Sequence, residues 1–223
     1  MMKDKIKDSY KASKNFYDDV LTQGKWWSRL YIKVFWGGVD DVAIARKVLS
    51  MIPDDFSGKI LDVPCGTLVF TAKKYQRLKK AELVCLDYSE DMLDQGKARA
   101  EKCELSNVKF MQGDVGNLPF EDGSFDVVMT MNGVHVFPDK EKAWTEMTRV
   151  IRPGGMLTGC YYIKGELKRG DWLVRIILSR KGWFTPPFDT KESLKARLEK
   201  DFEITAFETE GAMVSFAARK VRR

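Results

Sequence analysis

Short apolar, β-rich runs alternate with helical patterns along residues 59–163 of this chain. The clearest run is Phe125–Met131, whose continuous apolar character is typical of a strand buried on both faces. This alternation shows no internal repeat and favours βαβ units, with a parallel sheet covered by helices on both faces. The length of 223 residues suits one domain with its own core.

Five strands are predicted before the pattern changes. They are Lys59–Val63, Glu82–Leu86, Val108–Met111, Phe125–Met131 and Met156–Ile163. Two further β patterns, Phe202–Thr209 and Met213–Lys220, are joined by Glu210-Gly211-Ala212, which predicts an antiparallel hairpin. The predicted fold class is therefore α/β: a doubly wound, seven-stranded, mostly parallel sheet with a C-terminal antiparallel hairpin.

Helices are predicted between these strands. The first follows Asp40 or Asp41 as its N-cap and ends before Pro53. The second covers residues 68–80, and the third is capped by Ser89 and runs to about Lys102. The fourth covers residues 139–151. The sequence Arg152-Pro153-Gly154-Gly155 predicts a turn before the fifth strand.

Two segments lie outside this alternation. Residues 1–55 read as an N-terminal helical cover, because apolar pairs such as Trp26/Trp27 and Leu30/Tyr31 recur at four-residue spacing. Residues 56–223 are predicted to form the main domain. The second segment, at about 164–201, is an inserted cap within it, because the connection between the fifth strand and the hairpin is long for a plain crossover. The cap is predicted to place Trp172, Leu173, Ile176 and Ile177 on one helical face, and a second helix is expected near Thr190.

Composition excludes several classes of protein. Hydrophobic residues make up 44% and charged residues 31%, which is typical of a globular protein. The apolar stretches are too short for a transmembrane helix, and the N-terminus lacks the apolar region of a signal peptide. The four cysteines form no CxxC pair and only one histidine is present, so we expect no metal and a reducing, cytoplasmic location.

The positive charge is concentrated near the C-terminus. Residues 164–223 contain 14 basic and 9 acidic residues, whereas residues 1–163 are nearly balanced. This excess is typical of a solvated face with a basic tail, and it also suits an anionic partner. Nucleic acid is disfavoured because acidic residues are interleaved with the basic ones.

Carboxylates follow three neighbouring strands of the predicted sheet. Asp62, Asp87 and Asp114 end the first, second and third strands, and ligands of doubly wound sheets bind at these carboxyl ends. Gly66 lets the chain turn tightly beside them. Three carboxylates in one crevice suit a ligand with hydroxyls, amines and positive charge, and would repel a pyrophosphate.

Five motifs follow one another in order along the chain: Ile60–Thr67, Leu86–Leu93, Gly113–Val115 with Leu118-Pro119-Phe120, Ser124–Val128 and Arg149–Gly155. Together they resemble class I S-adenosylmethionine-dependent methyltransferases, in the small-molecule branch that includes the ubiquinone and menaquinone methyltransferases. The resemblance implies a Rossmann-like methyltransferase fold, S-adenosylmethionine as cofactor and S-adenosylhomocysteine as product.

The resemblance also implies residue roles. The segment Asp62–Thr67, including Pro64, Cys65 and Gly66, would hold the methionine part of the cofactor. Asp87 would bind the ribose hydroxyls. The remaining cofactor residues would be Tyr88 and Met92 beside the adenine, Asp114 and Val115 on its amino group and ring, and Asn132 near the methyl group.

The first motif departs from the family pattern. Its three alternating glycine positions hold Pro64, Gly66 and Leu68, so one glycine remains. A catalytically degenerate, cofactor-binding paralogue is therefore an alternative. A nicotinamide-dependent oxidoreductase is disfavoured by the missing GxGxxG and the acidic crevice.

His135 is the candidate catalytic residue because it follows the fourth strand, near the expected methyl group. A neutral imidazole there could act as a general base for a hydroxyl acceptor. Local packing is the alternative role, since alignment and desolvation supply much of the rate of methyl transfer.

Aromatic residues flank the expected mouth of the site and suggest a small, hydrophobic or aromatic acceptor. The candidate substrate-binding residues are Tyr17, Tyr31, Trp36, Trp172, Trp183 and Phe184. Methylation of RNA or protein is the alternative, and the segment 172–181 also suits peripheral membrane contact. The sequence indicates no oligomeric state.

Overall fold

A seven-stranded sheet organises the protein, whose computed structural model describes residues 37–222. The strands are β1 (Gly58–Asp62), β2 (Ala81–Asp87), β3 (Val108–Gln112), β4 (Phe125–Met131), β5 (Ile151–Tyr162), β6 (Phe202–Glu210) and β7 (Met213–Lys220). Their order across the sheet is β3-β2-β1-β4-β5-β7-β6. The first five strands pair in parallel, and β7 pairs antiparallel with both β5 and β6. The predicted fold class is confirmed.

The helices are α1 (Asp41–Ser50), α2 (Ala72–Tyr75), α3 (Glu90–Lys102), α4 (Lys140–Val150), α5 (Lys168–Leu173) and α6 (Lys191–Leu198). A 3₁₀ turn at Val134–Val136 follows β4, and a π-helical turn at Val174–Leu178 continues α5. Two predicted caps are confirmed, because Asp40 and Ser89 accept hydrogen bonds from the first backbone amides of α1 and α3. Asp139 caps α4 in the same way.

The helices cover both faces of the sheet and create two hydrophobic cores. One core packs α1, α2, α3 and the α5–π segment against the sheet, with Ile44, Tyr75, Leu93 and Leu173 among its buried side chains. The other packs α4 and α6 against the opposite face, through residues such as Trp144 and Leu194. The insert between β5 and β6 therefore contributes to both faces, because α5 and α6 lie on different sides of the sheet.

Two consecutive tyrosines at the end of β5 hold the insert. Successive side chains of a strand point to opposite faces, so Tyr161 and Tyr162 face different cores. The Tyr161 hydroxyl donates to Asp189 Oδ2 at 2.9 Å, just before α6. The Tyr162 hydroxyl donates to Asp171 Oδ1 at 2.6 Å, within α5. Both halves of the insert are thus fixed to the last parallel strand.

The predictions for two helical segments are wrong. The helix expected over residues 68–80 shortens to α2, because Leu68 has a φ of 57° that a right-handed helix does not allow. The predicted apolar face of the insert also differs: Leu173, Val174 and Leu178 are buried, whereas Trp172 is 51% exposed. The π-helical turn changes the side-chain period there, so α-helical spacing gives the wrong face.

The turn predicted at Arg152–Gly155 lies within β5. β4 and β5 pair at Phe125 with Ile151 and next at Val127 with Met156, so β5 carries additional residues between the two pairs. A Cβ at Gly155 would lie 2.9 Å from the backbone oxygen of Asp126, which explains the glycine at this bulge. The strand therefore begins earlier than predicted.

Replacing Asp40 with alanine tests the cap of α1. Asp40 Oδ1 accepts from the amides of Val42 and Ala43, and its loss should lower the free energy of unfolding by about 1 kcal/mol. Urea denaturation checks this, with the exposed Asp55→Ala variant as control. Equal stability of the two variants would contradict the capping role.

Candidate functional site

Polar residues line the carboxyl edge of the parallel strands. Asp62 ends β1, Asp87 ends β2, Asp114 follows β3 and Asn132 follows β4. Because the order is β3-β2-β1-β4, these four positions lie in a row along one edge. Doubly wound sheets bind ligands at this edge, where the strand order reverses between β1 and β4.

The Asp87 carboxylate joins two segments of the site. Its Oδ2 accepts a hydrogen bond from the Gly66 amide at 2.9 Å, and its Oδ1 accepts from the Ser89 amide at 2.9 Å. Burial raises the pKa of Asp87, and the hydrogen bonds from these amides lower it. Each oxygen keeps a lone pair that a ligand hydroxyl could use.

Asp62 lies beside Asp87 and is more deeply buried. The Tyr75 hydroxyl donates to Asp62 Oδ2 at 2.6 Å. Burial raises the pKa of Asp62 to about 7; the Tyr75 hydrogen bond lowers it and the charge of Asp87 raises it. Sequence analysis missed Tyr75. Its hydrogen bond with Asp62 joins two different elements, and such a contact leaves no periodic pattern in the sequence.

The loop after β1 leaves open space at Gly66. This residue has a φ of 55°, and no atom lies within 4 Å of the position that a Cβ would occupy. Leu68, the third position of the glycine pattern, adopts a left-handed conformation with φ 57°. Its side chain is buried in the hydrophobic core, so the bulkier residue does not occupy the space beside Gly66.

The rest of this loop is fixed by neighbouring elements. The Cys65 amide donates to the Leu86 carbonyl at 3.0 Å, and its buried thiol has a raised pKa because of Cys85 and burial. Arg99 Nη1 of α3 donates to Thr67 Oγ1 at 2.9 Å. These contacts make Cys65 a packing residue rather than a reactive thiolate.

Two glycines permit close approach at the same edge. A Cβ at Gly133 would lie 2.2 Å from Pro64 Cδ, so glycine there admits the Pro64 ring beside the end of β4. A Cβ at Gly96 would lie 3.1 Å from the Gly66 carbonyl oxygen, so glycine lets α3 pack on the loop. Sequence analysis identified neither Gly96 nor Gly133, because their roles depend on packing between distant segments.

The other predicted cofactor residues surround the ends of β2 and β3. Tyr88 is 46% exposed, and Met92 is half-buried in the first turn of α3. Asp114 Oδ1 accepts from the Gly116 amide at 2.9 Å, and Val115 is buried. The structure thus places all of them near the carboxyl edge, on consecutive strand exits.

Asn132 and His135 occupy the exit of β4. Asn132 has a φ of 54°, and its amide donates to the Cys160 carbonyl at 2.7 Å. His135 lies in the 3₁₀ turn, where its Nδ1 accepts a hydrogen bond from the Tyr162 amide at 3.4 Å. Burial, and next the charge of Lys140, lower the pKa of His135 to about 3.

This hydrogen bond indicates the tautomer of the neutral His135 ring. An imidazole that is neutral and accepts at Nδ1 carries its proton on Nε2. Neither nitrogen is then free to take a proton from an acceptor hydroxyl. The geometry favours a packing role for the ring over general-base catalysis.

The insert packs against this histidine. Phe184 stacks on His135 with ring centroids 4.2 Å apart, and the Thr185 amide donates to the His135 carbonyl at 2.9 Å. Buried Lys140 donates to the carbonyl of Thr185 and to that of Phe137. Segment 183–188 therefore lies against the β4 exit.

The predicted substrate residues fall into three groups. Phe184 is at the β4 exit, and Trp183 packs against the core with Lys181 over its ring. Trp172 lies exposed on α5. Tyr17, Tyr31 and Trp36 lie outside the described residues, as does most of the predicted N-terminal cover.

The described part of the chain offers no group of three or more metal-ligating side chains. It also contains no helix long and apolar enough to cross a membrane.

The architecture defines a Rossmann-like methyltransferase fold. A S-adenosylmethionine-dependent methyltransferase from Aquifex aeolicus superposes with a TM-score of 0.63 at 18% identity, covering 90% of this chain and 97% of that one. One from Thermotoga maritima gives 0.68 at 19% identity, covering 96% and 99%.

Sequence comparison finds methyltransferase relatives as well. Residues 60–155 match the family described as "Methyltransferase domain". A demethylmenaquinone methyltransferase of Staphylococcus epidermidis is 39% identical over 113 residues, which are 50% of this chain and 46% of the relative. One of Bacillus cereus is 41% identical over 112 residues, which are 49% of this chain and 47% of the relative. The chain thus spans about half the length of these relatives, and its resemblance to S-adenosylmethionine-dependent methyltransferases is confirmed.

Titration of the single histidine tests the assigned neutral state. Because the chain has one histidine, its imidazole NMR signals are unambiguous. With a pKa of about 3, they should not shift between pH 5 and 8. Between about pH 3 and 6.5 the unfolded chain protonates this histidine and the folded chain does not. The free energy of unfolding should therefore rise with pH over this range. A midpoint near 6.5 in the folded protein would contradict the buried, neutral ring.

Proposed function

We propose that this protein is a S-adenosylmethionine-dependent methyltransferase acting on a small, hydrophobic or aromatic acceptor. The observation that carries the proposal is the buried Asp87, which ends β2 and holds the open Gly66 turn. The resemblance over residues 60–155 supports the same reaction. The name of the demethylmenaquinone relatives suggests a quinol as the first acceptor to test.

The residues at the carboxyl edge fit this cofactor. The Gly66 turn leaves the room that the methionine part needs, and Asp87 offers acceptor lone pairs to ribose hydroxyls. Asp114 and Val115, at the exit of β3, would contact the adenine. The carboxylates also complement a positively charged ligand.

When bound, S-adenosylmethionine supplies an electrophilic methyl group on a sulfonium. The chain's part is to align an acceptor with that group and to exclude water. We propose that Asn132 lies nearest to it, at the exit of β4. The His135 ring and Phe184 would form an aromatic wall for the acceptor, and residues 164–201 would act as the cap.

Calorimetric titration with S-adenosylhomocysteine tests the cofactor site. Asp87→Ala should bind at least tenfold more weakly, because the ribose acceptor is lost and the Gly66 amide loses its partner. Asp94→Ala on the exposed face of α3 is the matched control and should bind like the wild type. Absence of saturable binding by the wild-type protein would overturn the proposal.

Methyl transfer tests the acceptor wall. With a demethylmenaquinol analogue, Phe184→Ala should raise the KM for the acceptor severalfold and leave S-adenosylhomocysteine affinity unchanged. Phe207→Ala, a phenylalanine beneath Lys195 on the opposite core, is the control. Tight cofactor binding without turnover of any small acceptor would favour the degenerate paralogue or a macromolecular substrate.

A further inference from the structure

The α5–π segment, Lys168–Leu178, presents an outer face that is both apolar and basic. Its inner side chains, Leu173, Val174 and Leu178, are buried in the core. On the other side Trp172 is 51% exposed and Ile177 is 37% exposed. Exposure of a tryptophan and an isoleucine on one short segment is unfavourable in water unless a partner covers them.

Basic side chains surround these apolar residues. Lys168 lies four residues before Trp172 within α5, so the two side chains are neighbours on the helix surface, and Arg175 follows in the π-helical turn. Lys168, Arg169, Arg175 and Arg180 are exposed, and within residues 37–222 no carboxylate lies at ion-pair distance from them.

The acidic residue nearest to this face is engaged internally. Asp171 accepts from the Tyr162 hydroxyl at 2.6 Å and from the Gly165 amide at 3.0 Å. Residues 164–181 contain six basic and two acidic residues, so the segment is strongly positive. The side chains of Lys168, Arg169, Arg175 and Arg180 therefore present their charge to solvent.

We propose that this outer face, comprising Lys168, Arg169, Trp172, Arg175, Ile177 and Arg180, docks on the surface of an anionic phospholipid bilayer. Basic side chains are attracted by the lipid phosphates, while tryptophan and isoleucine insert at the level of the headgroups. This matches the composition of the face, in which apolar and cationic side chains are interleaved.

Nucleic acid fits this face less well. A phosphate backbone would pair with the cations and a base could stack on Trp172, but Ile177 would keep its exposed apolar surface. A bilayer surface contacts the cations, Trp172 and Ile177 alike. We therefore assign the surface to lipid, and RNA binding is an outcome of the test.

The docking face belongs to the same insert as the aromatic wall of the site. The Tyr162–Asp171 hydrogen bond ties α5 to β5, and Phe184 of the same insert stacks on His135. Docking would therefore bring the acceptor side of the protein to the lipid surface, where apolar molecules partition. The docking itself does not depend on methyl transfer.

Co-sedimentation with vesicles tests the proposal on the full chain. Wild-type protein should pellet with phosphatidylcholine vesicles containing phosphatidylglycerol, pellet at least tenfold less with pure phosphatidylcholine, and dissociate in 1 M salt because screening weakens the attraction, the Debye length there being about 3 Å. Lys168→Glu/Arg175→Glu should reduce the partition coefficient at least tenfold, and Trp172→Ala should reduce it severalfold.

Matched controls separate this face from net charge. Lys79→Glu/Lys80→Glu makes the same change in charge at the amino end of β2 and should bind vesicles nearly as well as the wild type. Met111→Ala removes an exposed apolar side chain elsewhere and is the control for Trp172→Ala. Circular dichroism and S-adenosylhomocysteine titration on each variant report folding and the proposed cofactor site separately from docking.

Three results would overturn the proposal. They are absence of vesicle binding by a folded wild-type chain, an equal loss in both double variants, and tight binding of single-stranded RNA that the Lys168/Arg175 variant loses while vesicle binding is absent. Vesicle binding without S-adenosylhomocysteine binding would leave docking intact and remove the proposed function.

Discussion

The hydrogen bonds of the Asp87 carboxylate determine the shape of the candidate site. One oxygen holds the Gly66 amide of the loop after β1, and the other holds the Ser89 amide before α3. A buried carboxylate is costly unless hydrogen-bonded, so this position couples the stability of two loops to one side chain. The hydrogen bond from the Gly66 amide to Asp87 fixes the open turn at Gly66.

The opposite side of the site depends on the insert. Tyr161 and Tyr162 extend from adjacent positions of β5 to different faces and bind the two halves of the insert. Segment 183–188 then crosses the exit of β4 and covers His135 with Phe184. The proposed function places a polar, charged cofactor beside the carboxylates and an apolar acceptor beside the aromatic rings.

Sequence predicted best what is determined locally. The bounds of β4 and the start of α3 at Ser89 follow from a continuous apolar run and a capping side chain, and both agree with the structure. The carboxylates were placed correctly at strand ends, because strand polarity alone puts those ends on one edge.

What sequence did not predict depends on contacts between distant segments. The Tyr75–Asp62 hydrogen bond, the packing of Gly133 on Pro64 and the stacking of Phe184 on His135 leave no periodic pattern. The shortened α2 and the π-helical turn were missed because Leu68 and residues 174–178 depart from regular backbone geometry. The burial of Leu68 in the core, which leaves the space beside Gly66 open, required the folded structure.

The most direct test of the central claim is the map of backbone amide NMR shifts on addition of S-adenosylhomocysteine. The account predicts that the largest changes fall on residues 65–68 with Tyr88 and Val115, and that Asp87→Ala removes them. Changes centred on the amino ends of the strands, or no change at millimolar ligand, would contradict it.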